Sequence, residues 1–145
     1  MKIYLAGPFF NKIERSNIML ARDILRGKGL DVFVPMEHKF PDDDKMSNEA
    51  WSKLVYNLDK NEIYNCDAVV AVYYGMYSDT GTAWEIGFAK ALNKRIIVVH
   101  TNYVGVASLM INSCADYNID GINSLNNFDF NNFNNNTSNV CIEQK

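Results

Sequence analysis

The sequence predicts a single α/β domain built on a doubly wound, parallel, five-stranded sheet, and three observations carry that prediction. Apolar runs of strand length recur at Lys2–Ala6, Asp31–Pro35, Asp67–Tyr73 and Arg95–His100. Between them lie segments whose apolar residues fall at helical spacing. The central stretch Val69–Phe88, VVAVYYGMYSDTGTAWEIGF, passes from a continuous apolar run through the polar turn Tyr77–Gly81 into a helix from about Thr82. Strands alternating with helices build parallel sheets, and a continuously apolar strand is one buried on both faces.

In order, Lys2–Ala6 is a short buried strand stopped by the turn signal Gly7-Pro8. Asn11–Gly29 carries Ile18, Ala21 and Leu25 as a helical stripe, with Gly29 placed to end the helix. Asp31–Pro35 is the second strand, closed by proline. His38–Asn48 is polar and contains the run Asp42-Asp43-Asp44, which reads as a solvated loop because no other metal-ligand cluster accompanies it. Glu49–Asn65 is the second helix, with Trp51, Leu54, Val55 and Leu58 as its buried stripe. Asp59 continues the row Trp51–Val55, an acid that is either the edge of the stripe or a functional group. Thr82–Asn93 is the third helix, Arg95–His100 the fourth strand, Val106–Cys114 a short helix and Ile119–Ile122 a fifth strand. From about residue 126 the chain turns into an Asn-rich tail, FDFNNFNNNTSN, which is either disordered or laid on a surface through Phe128, Phe130 and Phe133. The simplest order is 2-1-3-4-5, flavodoxin-like, with the switch point between strands one and three.

Composition narrows the function. At 145 residues the chain can bury a proper core without staples. A net charge of −3, with no basic cluster, argues against a nucleic-acid polymer as partner. No run of about 18 apolar residues is present, and Met1–Ala6 is too short for a signal-peptide core, so a membrane is not expected. Cys66, Cys114 and Cys141 are odd in number and lack a CxxC, which suits a reducing cytoplasm. His38 and His100 have no partner at metal-ligand spacing, so a metal site is not expected. The absence of GxGxxG and GxxxxGK[ST] disfavours dinucleotide and nucleoside-triphosphate sites.

Chemistry is expected where the strands end. Asp79 and Glu85 flank the junction after strand three, and the switch-point crevice brings Tyr4 and Gly7-Pro8-Phe9 beside them. Thr82-x-x-Glu85 has the form of a capping box, which the local pattern alone favours for Glu85. Asp79 has an equally ordinary reading as a turn residue. The functional alternative keeps Glu85 ionised near a helix N-terminus, as a nucleophile at a sugar anomeric carbon with a second carboxyl as acid.

Three ordered blocks then point to a family. KIYLAGPFF, VYNLDKNEIYNCDAVVAVY and TGTAWEIGFAKALNKRIIVV together resemble the nucleoside 2-deoxyribosyltransferases, the first block being closer to the purine-type branch. The resemblance implies that Glu85 forms a covalent 2-deoxyribosyl ester and that Tyr4 orients it. It implies that Asp79 and Asp59 contact the base, one or both serving in its protonation. Trp51 and the loop Gly7, Pro8 and Phe9 would line the base pocket, and Met110 would be supplied by a neighbouring subunit. The implied reaction is ping-pong base exchange between 2′-deoxyribonucleosides and free nucleobases in cytoplasmic nucleoside salvage. It needs no cofactor and takes place in a homo-oligomer of dimer units, up to a hexamer.

Two positions depart from the family pattern. Ser108 stands where the family usually has an asparagine reaching the sugar 5′-hydroxyl. The related 2′-deoxynucleoside 5′-phosphate N-hydrolases use serines for a 5′-phosphate, but carry a serine where this chain has Asp79. The chain also ends Ile142-Glu143-Gln144-Lys145 rather than on an aromatic residue. Hydrolysis, or nucleotide binding without catalysis, remain the alternative functions.

Overall fold

Nine regular elements alternate along the chain in the computed structural model, which describes residues 1–104 and 108–140. They are β1 (Lys2–Ala6), α1 (Lys12–Gly27), β2 (Asp31–Phe33), α2 (Asn48–Asn65), β3 (Ala68–Gly75), α3 (Thr80–Ala91), β4 (Arg95–Val104), α4 (Leu109–Cys114) and β5 (Tyr117–Asp120). The strands form one sheet in the predicted order β2-β1-β3-β4-β5, with every pairing parallel. All eight residues of β3 are buried, as its unbroken apolar run requires. The proposed start of the fourth helix at Val106, like Cys141 and the final four residues, lies outside the described residues.

Local signals set the element ends. Asn11 and Glu14 close a reciprocal capping box on α1: Glu14 N–H donates to Asn11 Oδ1 at 2.9 Å, and Asn11 N–H to Glu14 Oε2 at 3.3 Å. At the other end Gly29 takes φ +79°, while the Leu30 and Gly29 amides bond the carbonyls of Leu25 and Arg26 in a Schellman motif. Ile18, Ala21 and Leu25 are buried against the sheet, as their spacing predicts.

The two sheet faces carry separate cores. On the α1 face, Ile3, Leu5, Val70 and Val72 pack with Ile18 and Leu25. On the other, Tyr4, Val69, Ala71 and Ile96 pack with Ile63 of α2 and Ile86 of α3. The tail joins the α1 face of its own chain. Phe128 and Phe130 are buried there with Phe133 packed against them, so these rings are spent within the chain rather than on a neighbour. Ser138 and Asn139 then hydrogen-bond along β5, shielding the sheet edge from other strands.

Two expectations are corrected. The stripe of α2 is not buried: Trp51 and Leu54 are exposed, Val55 and Leu58 half-buried, and Ile63 alone is fully inside. An 18-residue helix spans about 27 Å, whereas the short strands β1 and β2 beneath it extend only roughly 10–17 Å. Its N-terminal turns therefore overrun the sheet. The fifth strand lies two residues earlier than its apolar pattern suggests, because Gly121 at φ +75° ends it and Ile122 opens a 3-10 turn.

Gly7 ends β1 at φ +151°, and a Cβ there would stand 2.7 Å from Ile18 Cδ1 and 3.2 Å from Val72 Cβ. Gly7→Ala should therefore destabilise by roughly 1–3 kcal/mol, read as a melting temperature lower by several degrees. An unchanged melting curve would contradict the close packing of this loop.

Candidate active site

The site is built on Tyr4. Its backbone lies mid-sheet, paired with Phe33 of β2 on one side and Val69 of β3 on the other, and its ring is fully buried. Phe33 stacks on it, with centroids 5.7 Å apart and an interplanar angle of 23°. The hydroxyl donates to Glu85 Oε1 at 2.6 Å, joining β1 to α3 across 81 positions of sequence. Burial, with the Glu85 and Asp59 charges beside it, drives the phenol pKa far upward, so Tyr4 remains a donor at any working pH.

Glu85 reaches this bond because of where α3 begins. Asp79, not Thr82, is the N-cap: its Oδ2 accepts from Thr82 N–H at 2.9 Å and from Thr82 Oγ1 at 3.1 Å. The predicted Thr82–Glu85 capping box is thus absent. The helix starts at Thr80, Thr82 is its buried third residue, and Glu85 is the sixth, one turn too deep to close on the end. There the dipole has faded, and burial counts against the ionised carboxylate. Burial pushes Glu85 from its ordinary value of 4.5 to about 8, against the Tyr4 hydrogen bond and with the Asp59 and Asp79 charges. Desolvation outweighs the hydrogen bond, and this balance favours the protonated carboxyl near neutral pH.

Asp59 enters from α2, where it is more than the edge of a stripe. Burial raises its carboxyl to about 6, while the Tyr4 hydroxyl and His38 favour the ionised form and Glu62 opposes it. Its Oδ1 is buried and lacks a hydrogen-bond partner among the described residues. Tyr4, Glu85, Asp59 and Asp79 are therefore brought into one electrostatically coupled group.

The loop after β1 lies beside this group because β1 and β3 are neighbours. Pro8 is buried, Gly7 and Phe9 are half-buried, and Arg15 Nη1 holds the Phe9 carbonyl at 3.1 Å. Trp51 is exposed two turns before Asp59 on α2. Ser108 and Met110 are not gathered to the Glu85 carboxyl in this chain. The Ser108 hydroxyl caps α4 and bonds the Tyr73 hydroxyl, while Met110 is 81 % exposed.

Sequence reasoning missed an aromatic wall. Phe33, His38 and Phe40 continue outward from Tyr4, with Phe33–His38 centroids 6.5 Å apart and His38–Phe40 edge-on at 4.8 Å. The segment is held from α1, where Arg22 and Arg26 both bind Glu37 at 2.7 Å. Phe33 closing a strand was the available signal, but its register with Tyr4 exists only once β1 and β2 pair. The acidic run behaves as a loop: Asp42 pairs with Lys45 in solvent, Asp43 Oδ2 accepts from Phe40 N–H, and no metal-holding cluster occurs among the described residues.

A buried carboxyl oriented by a tyrosine, with two further carboxyls nearby, suits displacement at carbon with proton transfer to the leaving group. Residues 3–143 match the family model described as nucleoside 2-deoxyribosyltransferase. A nucleoside deoxyribosyltransferase from Limosilactobacillus fermentum is 33% identical over 108 residues, 68% of this chain and 64% of that relative. Another from Lactobacillus johnsonii is 27% identical over 107 residues, 68% of this chain and 71% of the relative. Among solved structures, the 2-deoxyribosyltransferase of Bacillus psychrosaccharolyticus aligns with a TM-score of 0.81 at 33% identity, covering 90% of this chain and 93% of its own. A CMP N-glycosidase from Clostridium botulinum shares the fold alone, at TM-score 0.58 and 24% identity over 83% and 88%.

The raised Glu85 pKa has a consequence for stability. The folded state holds a proton that the unfolded carboxylate releases above 4.5, so this contribution is present at low pH and lost as pH rises to about 8. The melting temperature should fall across that window, and Glu85→Gln should flatten the fall. A wild-type curve matching that of Glu85→Gln would refute the protonated state.

Proposed function

The chain belongs to the nucleoside 2-deoxyribosyltransferase family, and on that premise we propose that it exchanges the base of a 2′-deoxyribonucleoside through a glycosyl ester on Glu85. The observation that carries this is the 2.6 Å bond from the buried Tyr4 hydroxyl to Glu85 Oε1. It leaves Oε2 free to approach C1′ from the face opposite the base. Attack inverts that carbon; the second base inverts it again, and the β configuration is retained. Asp59 and Asp79 face the base, with one or both protonating it as it leaves. Phe9 and the Phe33–His38–Phe40 wall supply flat surfaces on which a base can stack. Purines are the proposed bases, and nucleoside salvage in the cytoplasm the proposed setting.

The working unit in this proposal is a homo-oligomer. Leu109 and Met110 stand exposed on α4, and Trp51 and Leu54 on α2, apolar surface that a monomer gains nothing by showing. Ser108 and Met110 would complete the site of a neighbouring subunit. A second reading, N-glycoside hydrolysis, draws on Ser108 itself, whose hydroxyl beside that of Tyr73 is a hydrogen-bonding group suited to a 5′-phosphate.

Incubation of 2′-deoxyinosine with adenine should yield deoxyadenosine, with Glu85→Ala slower by on the order of 10⁴-fold or more. Hypoxanthine released at one rate with or without adenine would replace exchange by hydrolysis, and the 5′-monophosphate is then the donor to assay. Met110→Asp should weaken self-association in sedimentation and lower activity in parallel. Full activity from a monomeric Met110→Asp would remove the shared-site proposal.

A further inference from the structure

We propose that His100 is a positioning residue for the site of a neighbouring subunit: through Asn118 and Tyr73 it fixes α4, the helix that presents Ser108 and Met110. It rests on the shared site proposed above, and it explains how a short, exposed helix keeps its place.

α4 has little to hold it. It spans six residues, well below the roughly 12 at which an isolated helix becomes even marginal in water. Leu109 and Met110 are exposed, and its buried residues are Ile111 and Asn112. Its C-terminal end also lacks a helical bond. The Asn112 carbonyl would ordinarily accept from the amide four residues on. That amide, Asp116 N–H, is drawn to the sheet instead and donates to the Ile96 carbonyl at 2.9 Å. Asn118 of β5 fills the gap, its Nδ2 donating to the Asn112 carbonyl at 3.0 Å.

His100 sets that amide. With Nδ2 turned to α4, Asn118 presents Oδ1 to β4, where His100 Nε2 lies 3.0 Å away, and both side chains are buried. An amide oxygen only accepts, so this ring nitrogen carries the hydrogen. Burial holds the imidazole below its ordinary pKa, against the Asn118 bond and the Asp120 charge, which keeps the ring neutral. The Asn118 main chain is fixed as well. It is paired with Val98 of β4, its N–H donates to Ser138 Oγ, and its carbonyl accepts from Asn139 N–H.

The other end of α4 leads back to the same histidine. The Ser108 hydroxyl caps the helix and is hydrogen-bonded to the Tyr73 hydroxyl. The Tyr73 ring stands edge-on to the His100 ring, with centroids 6.0 Å apart at 77°. One buried ring therefore braces both ends of α4, one through Asn118 and the other through Tyr73. Met110 projects into solvent, 81% exposed, rather than towards Glu85 of its own chain. What His100 fixes is therefore felt across the subunit boundary.

The test uses the full chain with 2′-deoxyinosine and adenine. His100→Phe keeps a ring against Tyr73 and removes the donor to Asn118. Exchange should fall by about 10²-fold, as for a displaced positioning element. His100→Gln, whose amide nitrogen can still donate, should retain most of the activity. His100→Phe is then co-expressed with Glu85→Ala under separate tags, and oligomers carrying both chains are purified. Sites that combine Glu85 of one chain with the undisturbed α4 of the other should raise activity well above either parent. Asn118→Leu should behave like His100→Phe in both assays, and replaces it if the phenylalanine variant does not fold. Wild-type turnover by the folded variants, mixed oligomers no more active than their parents, or a fully active monomeric wild type would each overturn the proposal. Base release that ignores adenine would replace exchange by hydrolysis, with complementation then scored as base release. A wild type that turns over neither 2′-deoxyinosine nor its 5′-monophosphate would overturn the proposed function and this inference together.

Discussion

One hydrogen bond, from the Tyr4 hydroxyl to the Glu85 carboxyl, is the constraint on which the rest of the site depends. It ties the first strand to the third helix, and it survives only because both ends are rigid. Tyr4 is clamped between Phe33 and Val69 in the middle of a parallel sheet. Glu85 is carried by a helix whose start is fixed by the Asp79 cap. If α3 began three residues later, with Thr82 as the cap of the apparent Thr82–Glu85 box, Glu85 would close on its own helix end and the strand would lose its partner. The cap therefore decides what the glutamate is available to do.

Burying two carboxyls, Glu85 and Asp59, near one another sets the chemistry. Each added charge makes the next less favourable, and with little water to share the load the group holds protons that isolated acids would release. Glu85 is displaced furthest because it lies deepest, Asp59 less so, and Asp79 is held in its cap by two donors. A site meant to break a glycosidic bond needs both an anion and an acid. Unequal environments for otherwise similar side chains are the physical means of obtaining both.

The remaining structure supports this group from two directions. The Arg22–Glu37–Arg26 ion pairs hold the segment that extends the aromatic wall from Phe33 to Phe40. On the far side of the sheet the Asn-rich tail packs its phenylalanines under β4 and β5. Asp129 accepts from the Asn131 and Asn132 amides and from Asn135, so the polar residues satisfy one another instead of solvating a free chain. The N-terminal turns of α2 carry Trp51 and Leu54 as exposed apolar surface.

What the sequence determined by itself was whatever local pattern controls. Alternating runs specified the elements, the unbroken apolar β3 specified a two-sided parallel sheet, and the 2-1-3-4-5 order followed from them. Three spaced blocks were enough to point to the family, and Tyr4, Asp59, Asp79 and Glu85 were visible as candidates. Tertiary structure decided the rest, because the deciding partners are distant in sequence. The capping box at Thr82 and the buried stripe of α2 were sound local readings, overridden by a cap three residues upstream and by strands shorter than their helix. The raised pKa of Glu85, the Asp59 oxygen without a partner among the described residues, and the stacking of Phe33 on Tyr4 depend on desolvation and strand register. Those properties belong to the assembled sheet and to no single segment of the chain.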